Sequence, residues 1–179
     1  GQEFDMEFFL QSREDYRRIR EQLQQQNVLW LLPYVEEQFR RQYLPEMEAE
    51  IEKGLQKLAK VLEKKSYFVV SSSLNHKLAE VPWKKMLLKK ERFVAPCGDW
   101  TKKQCPDGCE EGIQTVTEAD EEQLQESFKK LQTNGFSVPD LGKCPKCGKK
   151  LVLNNVYAGR YDEKGYLKTW TEYQNWLQN

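Results

Sequence analysis

Two pairs of closely spaced cysteines, Cys105-x3-Cys109 and Cys144-x2-Cys147, constrain this chain more than any other feature. A gap of two or three residues lets both sulfurs of a pair reach one ion, and two such pairs form the jaws of a tetrahedral thiolate site. The ion expected there is Zn2+ in a structural role, and four thiolates would also accept iron. Cys97, in Pro96-Cys97-Gly98, brings the cysteines to five, an odd number that speaks against a disulfide framework. It stands as a substitute for Cys105 or Cys109 among the ligands. The competing reading makes these cysteines buried apolar residues or reactive thiols. A thioredoxin-type redox pair would need a strand before it and a helix after it, whereas Gly148-Lys149-Lys150 and a β-type run follow Cys147.

The chemistry around each pair fits ligation. Pro145 fixes φ and turns the chain between Cys144 and Cys147, and Gly148 permits the left-handed conformation that aims the following N–H groups at sulfur. Cys105-Pro106-Asp107-Gly108-Cys109 repeats the use of Pro and Gly in a gap one residue longer. Followed by the strand-like Leu151-Val152-Leu153, Cys144-Pro145-Lys146-Cys147-Gly148 resembles the knuckle of zinc-ribbon and rubredoxin-type domains, over about residues 105–157. The resemblance implies two knuckles pinching a structural zinc between β-hairpins, with Cys105, Cys109, Cys144 and Cys147 as ligands. The 34 residues between the pairs exceed a minimal ribbon and must hold an inserted element. That family serves transcription, replication, translation and purely structural modules, so it points to a site more than to a role.

The first third reads as helix. Ser12-Arg13-Glu14-Asp15 resembles a capping box ahead of Tyr16, Ile19 and Leu23, and Asn27 interrupts the pattern. Pro33 suits a first turn before Val35, Phe39 and Tyr43, and Pro45 restarts the series as Met47, Ile51, Leu55, Leu58 and Leu62. Pro33, Pro45 and Gly54 argue against a long coiled coil and for a small bundle. Tyr67-Phe68-Val69-Val70 and Arg92-Phe93-Val94 read as extended, with short helices over Leu74–Leu78 and Trp83–Leu88 between them. Thr117 is placed to cap a helix carrying Leu124, Phe128 and Leu131 and closed by Asn134-Gly135. Leu151–Leu153 and Val156–Ala158 are expected to pair across Asn154-Asn155, and Trp170, Tyr173, Trp176 and Leu177 to form a closing helix. The expected class is α+β: an N-terminal amphipathic helical bundle followed by a small β-rich, zinc-ribbon-like module with a helical insertion. The expected division is a helical domain over 1–66, a basic connector over 67–103 and the cysteine-bearing domain over 104–179. Gly1–Phe4 reads as a remnant of cloning, and no signal-peptide pattern is visible.

Net charge is zero but unevenly spread: residues 65–106 hold 9 basic and 3 acidic groups, and 107–140 hold 2 and 9. Lys84, Lys85, Lys89, Lys90, Arg92, Lys102 and Lys103 interleave with Trp83 and Trp100, while Lys146 and Lys149 flank the second knuckle. Such a surface is expected to neutralise DNA or RNA phosphates while aromatics stack on bases. Against this, a pI near 6.8 is low for a nucleic-acid-binding domain. The alternative partner is a protein docked on the helical region. His76 is the only histidine, which excludes chemistry with two imidazoles. His76 and Glu80, four apart, read as a surface pair. Phosphate loops, nucleophile elbows, dinucleotide turns and the deaminase signature are missing from the sequence. A nucleophilic Cys97 served by His76 is a remote alternative. Four thiolate ligands leave zinc no open position for water, so a non-catalytic protein without a small-molecule substrate is expected. No apolar run nears the roughly 20 residues a membrane helix needs, and an intracellular location, cytoplasmic or nuclear, is expected from the reduced cysteines.

Overall fold

The computed structural model describes residues 6–71 and 92–179. The expected short helices over Leu74–Leu78 and Trp83–Leu88 and the His76–Glu80 pair lie outside them. Among the described residues the chain is α+β, with N-terminal helices preceding a β region. Helix α1 spans Met6–Gln25 and buries Ile19 and Leu23. Ser12 falls inside this helix, so the expected cap there is not one. The helix ends where Asn27 adopts φ 59°, with Val28 N–H bonded to Leu23 O at 2.9 Å and Asn27 N–H to Gln24 O at 3.1 Å. This closure suits Asn, whose short polar side chain tolerates the left-handed region, and it tucks Val28 against the core. A 3-10 turn over Leu29–Leu31 leads into α2 (Leu32–Tyr43), and Leu44 breaks the path before α3 (Pro45–Leu62). Pro33 and Pro45 both sit in first turns, where the missing N–H matters least.

The β region holds two small sheets. Strands β1 (Val69–Val70) and β2 (Phe93–Val94) pair in parallel. Strand β3 (Gly98–Gln104) lies at the centre of an antiparallel sheet between β4 (Gln114–Thr115) and β5 (Val152–Asn155). Helix α4 (Glu118–Gln132) fills the stretch between the cysteine pairs, as the length of that stretch required. Thr117 caps it in a reciprocal capping box with Asp120. Helix α5 (Lys164–Gln178) closes the chain with no fully buried residue, its Tyr173 and Trp176 rings lying 5.5 and 5.4 Å from that of Phe68.

The expected hairpin across Asn154-Asn155 is corrected. Residues 154–155 do not form a turn: Asn154 and Asn155 belong to β5, and its partner is β3, some fifty residues earlier. The sheet's central strand, Gly98–Gln104, begins within the stretch expected as a connector. Polar residues in a strand normally mark a turn or a wetted face, and here hydrogen bonds bury them. Asn154 Nδ2 donates to Gln104 Oε1 (2.7 Å) and Asp162 O (2.9 Å), and Asn155 Nδ2 donates to Trp30 O (2.9 Å).

The apolar core crosses the boundaries that composition drew. One continuous cluster runs from Ile19, Leu23, Trp30 and Phe39 to Leu124, Phe128, Leu131, Leu151 and the buried Cys105 and Cys144. Phe39 of α2 meets Phe128 of α4 edge to face at 5.6 Å. Helices α1 and α2 therefore share their core with the cysteine-bearing sheet and α4. Helix α3 buries only Glu48 and Ala59, and Glu48 is tied to Arg40 of α2 at 3.3 Å.

Candidate metal centre

The register of β3 against β5 builds the site. Gln104 faces Val152 and Lys103 faces Leu153, so the chain leaving β3 at Cys105 arrives beside the chain entering β5 from Cys147. A bridge between Lys143 and Lys150 turns the second knuckle into the tip of a narrow loop. Gly148 there has φ 73° and bonds Cys144 O at 2.9 Å, and Gly108 in the first knuckle has φ 77° and bonds Cys105 O at 3.0 Å. Both glycines thus perform the left-handed turn that a Cβ would strain.

The thiol sulfurs of Cys105, Cys109, Cys144 and Cys147 all lie within 4.8 Å of one another, and the Cys105 and Cys147 sulfurs are 3.4 Å apart. Four sulfurs at the vertices of a tetrahedron about an ion, each about 2.3 Å from it, would be separated by roughly 3.8 Å. The spacing fits, and these four residues can hold a metal ion. Cys97 is not in the group; its carbonyl instead accepts a hydrogen bond from Val156 N–H at 2.9 Å. It is therefore corrected from substitute ligand to a half-buried residue of the sheet edge. The first cysteine of each pair is buried in the core, while Cys109 is half-buried and Cys147 exposed, so the centre joins core to surface.

The thiols compete for charge. Burial lifts the Cys105 thiol, but N–H groups of Cys109 and Asp107 and the thiols of Cys147 and Cys109 outweigh it and lower the group to about 7. Cys109 is pushed up to about 12, first by its bond to Cys105 and then by burial. At Cys147 the Lys149 N–H favours the thiolate, yet burial and the sulfurs of Cys105 and Cys144 prevail and raise the group. Each thiolate formed penalises the next at this separation, and a divalent cation reverses that penalty for all four.

Residues beyond the ligands fix the geometry, and three of these went unread in the sequence. Gln104, fully buried, donates to Cys105 O (3.1 Å) and Arg160 O (2.7 Å) and accepts from Asn154 and Asp162, which pins the start of the first knuckle. Gly112 lies so close that a Cβ there would stand 2.4 Å from Cys105 Cβ. Asp107 takes an ion pair from Lys149 at 2.6 Å and offers its carbonyl to Arg160 at 3.1 Å, linking the knuckles across their outer rim. The available signal was adjacency: Gln104 and Asp107 flank Cys105 in sequence.

The expected nucleic-acid residues are described only in part. Lys84, Lys85, Lys89, Lys90 and Trp83 lie outside the described residues, as does the side chain of Trp100 on β3. Arg92 sits over the Phe68 ring at 4.8 Å, and Lys102 reaches Thr115 Oγ1 at 3.3 Å. Lys103 is corrected outright. Its ammonium is buried, 2.7 Å from Asp120 and 2.6 Å from Leu141 O, and so does not stand on a surface that a phosphate could reach. Lys149 is engaged by Asp107, and Lys146 is exposed. Comparison with protein-family models and with curated proteins gives no match to this chain.

Proposed function

We propose that the chain is a non-catalytic, intracellular docking module whose cysteine centre holds a structural zinc in a zinc-ribbon-like arrangement. The observation that carries this reading is the convergence of four sulfurs from two knuckles, with two of them embedded in the apolar core. A closed four-thiolate shell leaves no ligand position for water or substrate. The ion's work is to tie the knuckle that follows β3 to the knuckle that precedes β5. Elemental analysis of the purified chain tests it: one zinc per chain is expected, lost in Cys144→Ser. Iron would announce itself by visible charge-transfer absorption, and a metal-free chain with unchanged melting would refute the reading.

Docking of a protein is favoured by the apolar side chains that α3 leaves in water, including Met47, Leu58 and Val61. The second reading, contact with DNA or RNA, draws on the exposed Lys143, Lys146 and Lys150 around the second knuckle. It predicts binding that weakens steeply with salt, and no gel retardation of single- or double-stranded probes at low salt would remove it.

A further inference from the structure

Helix α3 turns a regular apolar seam outward. Leu44, Met47, Ile51, Leu58 and Val61 are 39 to 56 % exposed, and with Gly54 they follow spacings of 3, 4, 3, 4 and 3, the two-per-heptad rhythm of a helix-pairing seam. The inward side of the same helix carries Glu48 and Ala59, which are buried. The fold therefore already uses one face of α3 and leaves the seam on another.

Charge along the helix is polarised. Its first half carries Glu46, Glu48, Glu50 and Glu52 against Lys53, and its second half carries Lys57 and Lys60 with no acid, with Glu63, Lys64 and Lys65 just beyond its end. A second copy of α3 laid parallel would set acid against acid and base against base. Laid antiparallel, it sets each acidic half on a basic half, and the seam falls into register: Leu44 meets Val61, Met47 meets Leu58 and Ile51 meets Gly54 of the other copy. Glu50 and Lys57 lie on the same flank of the seam, which antiparallel pairing brings together.

Gly54 gives an independent reason. Glycine inside a helix is destabilising relative to Ala, and among the described residues nothing requires it, since a Cβ at this position would meet no atom within 4 Å. Opposite Ile51 of a partner helix, the missing side chain makes room for a large one.

We infer that α3 is a self-association face on which a second copy of this chain docks antiparallel, with the Glu50–Lys57 pairs setting the direction. The inference rests on the docking reading above and names its partner. A seam of under three heptads buries an area at the low end for stable dimers, so association is expected to be reversible.

Sedimentation velocity on the full, metal-loaded chain across a wide concentration range tests it, with circular dichroism confirming that variants fold. The expected result is a mass rising toward twice that of the monomer, abolished by Leu58→Glu. Glu50→Lys and Lys57→Glu should each weaken association roughly fivefold, and the double exchange should restore it. A dimer indifferent to the charge exchange would overturn the inference. So would a monomer at every concentration. If that monomer keeps its melting temperature in Leu58→Glu, only self-pairing fails and docking of a different protein stands. If Leu58→Glu lowers it by several degrees, the face is covered by the chain itself and both readings fall.

Discussion

Strand β5 and helix α3 stand in opposite relations to water from those their residue types would give them. All four residues of β5 are buried, two of them asparagines, while α3 buries a glutamate and an alanine among its eighteen residues and leaves five nearby or included apolar side chains outside. The difference lies in what surrounds each element. At β5, Gln104, Asp162 and Trp30 supply a partner for each amide, so burial leaves little unsatisfied and fixes a single register. At α3, among the described residues, α2 offers the most extensive surface, and an ion pair with Arg40 anchors it. Polar groups thus help to fix β5 inside an otherwise apolar core, and apolar groups furnish the outer face of α3.

The largest effect on this contrast is expected at the cysteine centre. Chelation, or Cys144→Ser, is expected to remove folding free energy on the order of 10 kcal/mol. Hydrogen exchange should then show protection collapsing in β3, β5 and α4, and in α1 and α2 through the shared core, with α3 affected least. Equal loss everywhere would erase the distinction between the two regions.

The next largest effect is expected from the buried ion pair. Lys103→Met leaves the Asp120 carboxylate unpaired and should destabilise the chain by about 3–5 kcal/mol in chemical denaturation. Burial raises the Asp120 carboxyl, but the Lys103 ammonium and the Thr117 N–H outweigh it and hold the group below its ordinary range. Because the folded pKa is depressed, the pair's contribution is complete above the unfolded value of about 4 and is lost as pH falls through the folded value. The stability gap between the parent and Lys103→Met should therefore narrow below about pH 4, both proteins losing their thiolates to acid alike. A gap constant down to lower pH would show that the pair is not what separates them.

Smaller effects sharpen the contrast between polar interior and apolar exterior. Asn154→Ala strands the Gln104 and Asp162 groups and should cost about 1–3 kcal/mol, although it makes a buried strand less polar. Leu58→Glu places a charge on an apolar site of α3 and should change the stability of the monomer by less than about 0.5 kcal/mol. Thermal melts of the two variants at low protein concentration compare them directly, and the reverse order would refute the account given for β5 and α3.

Local chemistry was legible in advance wherever one residue acts on its own neighbourhood. The Pro33 and Pro45 helix starts, the Thr117 cap, the Asn27 interruption and the turns at Gly108 and Gly148 each follow from a backbone preference that operates within a few residues. The four clustered cysteines were legible for the same reason, since the two-jaw spacing is a local pattern. The pairing of Asn154 with Gln104 and of Lys103 with Asp120 was not, because a polar side chain reads as solvated until its distant partner is known.

The amino-acid order alone thus determined the α+β class, the helical insertion and which cysteines form two close pairs, because bond rotation and short-range spacing set them. Tertiary structure decided that β3 pairs with β5, that Lys103 turns inward, that Cys97 stands aside and that α3 keeps an apolar seam in water. Those outcomes depend on which surfaces meet across some fifty residues of chain or more, and the free energy of such a meeting belongs to both surfaces at once.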